Sequence, residues 1–257
     1  MLRAAPSPTS SGALRAASSQ AGLETSPAEM ASRQVGAPGE RAGEPVAFTS
    51  AGWSATWFAK RSLDVTVAGL ALAFLLPLLL LVAGAVWAGD RKSPIFRHTR
   101  LGRGGRTFGC LKFRTMVVDS EAALAAHLAA NPAARAEWEA THKLAHDPRV
   151  TPLGRVLRKT SLDELPQLIN VLRGEMSLVG PRPIVQAEVA RYGSAFATCF
   201  AVPPGVTGLW QVSGRSETTY AERVALDLDY ASRWSLTRDI AILARTVPAV
   251  FAQRGSC

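Results

Sequence analysis

Asp163 and Glu164 are adjacent carboxylates, with Arg155, Arg158 and Lys159 just before them and Arg182 after them. Two readings fit such a pair. As structure, acidic side chains in a first helical turn cap free amides and interact favourably with the helix dipole. As chemistry, one carboxylate attacks phosphorus while the other holds Mg2+ or tunes its neighbour. Cations close to a carboxylate keep it ionised, and guanidinium groups grip phosphate oxygens in bidentate fashion. The surrounding charges favour the second reading and point to phosphoryl chemistry on an anionic substrate.

Several elements must position these residues. Ser161-Leu162-Asp163-Glu164 matches a capping box ahead of the apolar Leu165, Leu168, Ile169 and Leu172, which places the dyad in the first turn of a helix. Pro166 fits near that start, at the cost of one hydrogen bond if the helix runs straight through. The chain turns at Gly174, and Gly180-Pro181-Arg182-Pro183 reads as a rigid extended piece. Upstream, Ile95 to Met116 reads as a β-hairpin about Gly102-Arg103-Gly104-Gly105. The Walker pattern and the dinucleotide fingerprint are both absent, so this glycine run is a turn and not a phosphate cradle. Asp119 to Ala145 is alanine-rich and helical, broken near Asn131-Pro132. His142 and His146 lie one helical turn apart, but with no third ligand in view they read as a surface pair. A short strand is expected around Leu209-Trp210-Gln211-Val212, followed by helices. Leu236 to Phe251 carries an apolar face edged by Trp234, which suits a membrane surface and a protein core equally.

Composition divides the chain of 257 residues unevenly. Residues 1–52 are mostly Ala, Ser, Pro, Gly and Thr, and cannot bury enough apolar surface to offset chain entropy, so a disordered tail is expected. No apolar run follows its early arginines, as a secretory signal would require. Its first fifty residues hold four Arg against four Glu, so the net charge of +9 belongs to the remainder. From Arg91 to Arg114 there are eight Lys or Arg and no acid, a block that suits phosphate, anionic lipid or nucleic acid. Nucleic acid is disfavoured, because no aromatic platform or recognition helix is interleaved with the basic run. The cysteines, Cys110, Cys199 and Cys257, have no paired spacing, which argues for a reducing compartment and against a CxxC zinc site.

Residues 57–90 are expected to insert in a membrane. Leu63 to Ala88 is apolar except for Asp64, and as a straight helix would reach ~39 Å. Pro77 near its middle is expected to kink it. Basic residues flank both ends, Lys60 and Arg61 before and Arg91 and Lys92 after, so the positive-inside rule draws both ends to the cytosol. A re-entrant helix bent at Pro77 meets that symmetry, and a single crossing remains the other reading. The remainder, 91–257, forms the expected cytosolic catalytic domain. The whole reads as a mostly helical α/β (α+β) chain.

The motifs have a further meaning. The run from Leu153-Gly154-Arg155 through Thr160-Ser161-Leu162-Asp163-Glu164-Leu165-Pro166-Gln167-Leu168 and on to Gly180-Pro181-Arg182-Pro183 strongly resembles the bacterial sugar transferase family. Lys60-Arg61 with Asp64, Lys112-Phe113-Arg114-Thr115-Met116 and Pro204-Gly205-Val206-Thr207-Gly208-Leu209-Trp210-Gln211-Val212-Ser213-Gly214-Arg215 match as well. The likeness begins near Trp57 and is greatest to the short, single-segment monotopic phosphoglycosyl transferases of exopolysaccharide synthesis. It implies transfer of a hexose-1-phosphate, galactose or glucose, from a UDP-hexose to undecaprenyl phosphate, with release of UMP. Asp163 would be the nucleophile and Glu164 the Mg2+ ligand. Lys112 and Arg158 would lie at the phosphates and Arg182 near the nucleotide, with Arg114 also counted in the phosphate and nucleotide set. The resemblance further implies a re-entrant helix broken at Pro77, interfacial amphipathic helices in contact with membrane lipid, and a cytoplasmic-membrane location with the site facing the cytosol. Two rivals stand beside it: a non-catalytic membrane-anchored basic scaffold, and an inverting glycosyl transferase that would release UDP.

Overall fold

The computed structural model describes residues 55–141, 144–214 and 218–251. The expected disordered tail, His142 and Arg215 lie outside them. Helix α1 runs Ala55–Asp90, and Pro77 lies inside it, where its missing amide removes one hydrogen bond without ending the helix. Lys60, Asp64, Ala68, Val82 and Val86 are its buried residues, spaced so that one stripe faces the protein. The opposite side is apolar and bare, with Leu70 67 %, Phe74 84 % and Leu81 69 % exposed. Such a surface needs an apolar covering.

Both flanks of α1 are tied to the same body. Arg61 donates to the carbonyls of Val171 and Leu172 at 2.6 and 2.9 Å, and Arg114 donates to Asp90 at 2.6 Å. At the buried start of the helix, Lys60 Nζ lies 3.0 Å from Asp64 Oδ1 and 2.8 Å from Asp239 Oδ2. The remaining capacity of those carboxylates is filled by the Leu178 amide, the Tyr230 hydroxyl and the Trp234 indole. A buried ion group is tolerated only when its hydrogen bonds are completed in this way.

The expected hairpin is present. Strands β1 (Ile95–Leu101) and β2 (Thr107–Phe113) pair antiparallel, with His98 opposite Cys110 and Phe96 opposite Lys112. Gly104 and Gly105 turn the chain at φ 66° and 74°, a region that glycine enters without strain. Helices α2 (Ser120–Ala130) and α3 (Pro132–Thr141) are separated at Asn131, where the sequence places the break. Helix α4 (Pro152–Lys159) starts at Thr151, whose hydroxyl accepts from the Gly154 amide.

Two expectations are corrected. The capping box does not form: Ser161 adopts a left-handed conformation, φ 57°, and makes no side-chain cap. Asp163 and Glu164 therefore sit on a 3-10 turn, Leu162–Glu164, and helix α5 (Gln167–Arg173) begins only after Pro166. Proline's fixed φ suits that entry position, so no helical hydrogen bond is lost there. The strand foreseen at Leu209–Val212 is instead a short helix, α8 (Leu209–Ser213). The strand lies earlier, as β4 (Gly205–Thr207), parallel to β3 (Ser177–Val179), with Ser177 paired to Gly205 and Val179 to Thr207.

Helices α6 (Val189–Tyr192), α7 (Ala195–Cys199) and α9 (Tyr220–Ser232) enclose one core around Ile184, Cys199 and Phe200. Helix α10 (Leu236–Phe251) closes the chain with Asp239 and Ile242 buried and Ile240 and Val247 turned outward. It thus has a core face and a bare apolar face together. The described residues are mostly helical, with two small two-stranded sheets.

Candidate active site

A pleated strand sends alternate side chains to one face, so β1 and β2 together present His98, Arg100, Cys110 and Lys112 on the same side. That side forms one wall of an open cleft, which Arg100, Cys110, Lys112, Glu164, Gln167, Arg182 and Gln211 help to line. Polar and cationic groups dominate it, which suits an anionic ligand.

Lys112 is the pivot. Its Nζ lies 2.5 Å from Glu164 Oε1 and 4.0 Å from Asp163 Oδ2. Burial pushes the Asp163 carboxyl up to about 6; Lys112 and Arg158 oppose the rise and the Glu164 charge adds to it. Burial acts in the same direction on Glu164, but Lys112, Arg182 and Arg100 outweigh it and hold that carboxyl below its usual range. One carboxylate is thereby kept basic and the other firmly ionised.

Of the residues picked out in the sequence, Lys112, Glu164 and Arg182 line the cleft. Asp163 is buried just beneath it beside Lys112, and Arg158 is fixed nearby by its Nε hydrogen bond of 2.9 Å to Thr115 Oγ1. Arg114 is elsewhere, bound to Asp90 at the end of α1, and Pro77 lies far along that helix. Ser161, directly before the dyad, is one of two non-glycine residues with positive φ among the described residues. Strain of that kind persists where the surroundings over-determine a functional turn.

Sequence reasoning missed Arg100, Gln167 and Gln211. Arg100 donates to the Pro183 carbonyl at 3.3 Å and so braces the loop that carries Arg182. Its signal was available: with Lys112 assigned to the site, the hairpin register brings residues 98 and 100 onto the same face. Cys110 shares that wall, but burial raises its thiol and keeps it protonated, so it is no nucleophile. His146 joins no group of metal-ligating side chains among the described residues.

This arrangement, an acidic pair on a strained turn beneath a cationic cleft, belongs to a known class. Residues 55–253 match the family model described as bacterial sugar transferase, and the chain belongs to that family. By family it is a sugar transferase, an enzyme and not a scaffold. It is 53 % identical over 197 residues to the exopolysaccharide production protein ExoY of Sinorhizobium fredii, covering 77 % of this chain and 87 % of that protein. It is 48 % identical to the undecaprenyl-phosphate galactose phosphotransferase of Salmonella typhimurium, over 77 % of this chain but 42 % of that longer protein. A UDP-glucose:undecaprenyl-phosphate glucose-1-phosphate transferase of Caulobacter vibrioides is 44 % identical, over 74 % of this chain and 69 % of its own length.

Proposed function

We propose that the protein transfers hexose-1-phosphate from a UDP-hexose to undecaprenyl phosphate, releasing UMP, as the first step of exopolysaccharide assembly. The single observation that carries this reading is Lys112, which stands 2.5 Å from Glu164 and 4.0 Å from the buried Asp163 beside a cationic cleft. In the first step an Asp163 carboxylate oxygen attacks the sugar-bearing phosphorus. The new oxygen–phosphorus bond forms as the bond to the bridging oxygen breaks, and UMP leaves with that electron pair. In the second step an oxygen of the lipid phosphate attacks the same phosphorus and frees the Asp163 carboxylate. Arg100, Arg182 and Lys112 oppose the charge that builds on the pyrophosphate.

Mg2+ fits this donor set, since it takes one or two carboxylates together with substrate phosphates and needs no all-protein cage. Glu164, on the cleft wall, would hold it with Asp163 adjacent. The ion would spread the pyrophosphate charge.

The membrane reading rests on α1. Its bare apolar face wants hydrocarbon, yet its two flanks, at Arg61 and Asp90, bind the same domain. A helix that enters and leaves on one side of the bilayer accounts for both facts, with Pro77 as the weak point of the ladder. On this reading the site lies at the cytosolic face, where the outward side of α10 can rest on lipid. Cysteines introduced at Thr56 and Ser93 should then label from the same side of sealed vesicles; opposite labelling would establish a crossing helix.

The reaction is tested by incubating the nanodisc-embedded enzyme with Mg2+, undecaprenyl phosphate and single UDP-hexoses. Lipid-dependent UMP is expected. Release of UDP would instead establish glycosyl transfer.

A further inference from the structure

The indole of Trp210 has two guanidinium groups over its ring. The Arg182 Cζ lies 5.4 Å from its ring centre and the Arg223 Cζ 5.0 Å. Arg223 in turn lies 5.1 Å from the ring of Tyr220, so it is held between two aromatic faces. Two cations on one indole repel each other, and a nearby anion offsets that repulsion. Asp227 lies one helical turn from Arg223 on α9 and is 1 % exposed. Its Oδ2 accepts from the Tyr192 hydroxyl at 2.8 Å, while Oδ1 has no hydrogen-bond partner among the described residues. Arg223 Nε and Nη2 are buried and likewise without a partner there. Burial pushes the Asp227 carboxyl up to about 6, and the Tyr192 hydroxyl, the Arg223 charge and the main-chain amide of Arg182 pull it back toward the ionised form.

We propose that Arg223 and Asp227 are positioning residues for Arg182: Arg223 clamps the indole on which the Arg182 guanidinium rests, and Asp227 balances the clamp. Neither is among the residues that line the cleft. Arg100, bound to the Pro183 carbonyl and 3.7 Å from Glu188, fixes the next residue of the same loop. The Tyr220 hydroxyl reaches Glu188 as well, and joins the two halves of the support. Arg182 is thus aimed from behind by α9 rather than by its own loop alone.

The inference rests on the proposed donor only for its kinetic arm. In Arg223→Gln and Arg223→Lys the KM for the UDP-hexose should rise roughly five- to thirtyfold, the range of one desolvated cation–π contact. The KM for the lipid phosphate should not change. Trp210→Phe, which keeps a ring face, should retain most of the donor affinity, and Trp210→Leu should lose it. Combining Trp210→Leu with Arg223→Gln should add nothing to Trp210→Leu alone, since the clamp is already gone. Donor KM unchanged in a folded Arg223 variant, or additive losses in the pair, would overturn the proposal. Arg223→Lys keeps the charge and guards against a failure to fold. If the unmodified enzyme released no UMP, the proposed function would fall. The inference would then be decided by the Arg182 pose in a solved Arg223→Gln structure: displaced if it is right, unmoved if it is wrong.

Discussion

Asp163 and Glu164 are neighbours in the chain, yet their carboxyls are driven apart in proton affinity, one up to about 6 and the other below its usual range. The asymmetry traces to distance. Lys112 is at hydrogen-bond range of Glu164 and only at the outer limit of an ion pair with Asp163. Attack on phosphorus is favoured by the more basic carboxylate so long as it is ionised at working pH, and charge stabilisation by the less basic one.

The first expectation is therefore a pH profile. UMP release should show a rising limb near pH 6 as Asp163 loses its proton, the limb belonging to the coupled pair. Lys112→Met removes a cation that lowers both carboxyls, so the limb should move to higher pH. A limb that stays in place would separate Lys112 from the titration.

Asp163→Asn should reduce turnover by roughly three orders of magnitude or more. It should also stabilise the protein at pH 8. An Asp whose folded value lies above its unfolded one contributes a loss of stability that grows as pH rises from about 4 to 6 and persists above it. Removing the charge should recover about 1–3 kcal/mol at pH 8 and nothing at pH 3.5, measured by denaturant unfolding. Equal stability at the two pH values relative to the parent would contradict the burial argument.

Arg114→Ala should leave the donor KM within about twofold of the parent, because that guanidinium is committed to Asp90. A steady-state comparison settles the point, and a large KM rise would return Arg114 to the site.

Gly205→Ala should destabilise by roughly 3 kcal/mol. A Cβ there would stand 2.1 Å from the Gly180 amide nitrogen and 2.2 Å from the Thr207 carbonyl oxygen, which are backbone atoms that cannot rotate away. A thermal melt close to the parent's would mean the two strands can part at no cost.

Much of this molecule was legible in the sequence, and the failures share a cause. The hairpin, the Asn131 break and the bounds of α10 are set by local periodicity and by glycine and proline, which a short window contains. The strand Gly205–Thr207 exists because it pairs with Ser177–Val179, a parallel contact between distant segments with no local periodicity to announce it. Leu209–Val212 was too short for its apolar run to distinguish strand from helix. Ser161 matched the capping pattern, yet its left-handed φ turned the dyad onto a 3-10 turn and left the helix to start after Pro166. The dyad, Lys112 and Arg182 were visible as residue types; that Arg100 stands with them required the hairpin register.

Lys60→Met should cost about 3–5 kcal/mol, because it leaves Asp64 and Asp239 buried without their cation. Chemical denaturation in a fixed detergent measures it, and a loss below 1 kcal/mol would show that the ion group is dispensable.

The same ion group sets a schedule for synthesis. At about 5–20 residues per second, synthesis of α1 is complete roughly seven to thirty seconds before Asp239 is made. During that interval Lys60 has a single carboxylate within reach, Asp64, one turn along its own helix. The pair can travel as a neutral unit while the rest of the chain is still being assembled. Asp239 then arrives last, bringing a second negative charge that the hydroxyl of Tyr230 and the indole of Trp234 help to absorb. Docking of the final helix is thus the event that locks the first one, and a chain truncated before α10 would carry an anchor with no latch.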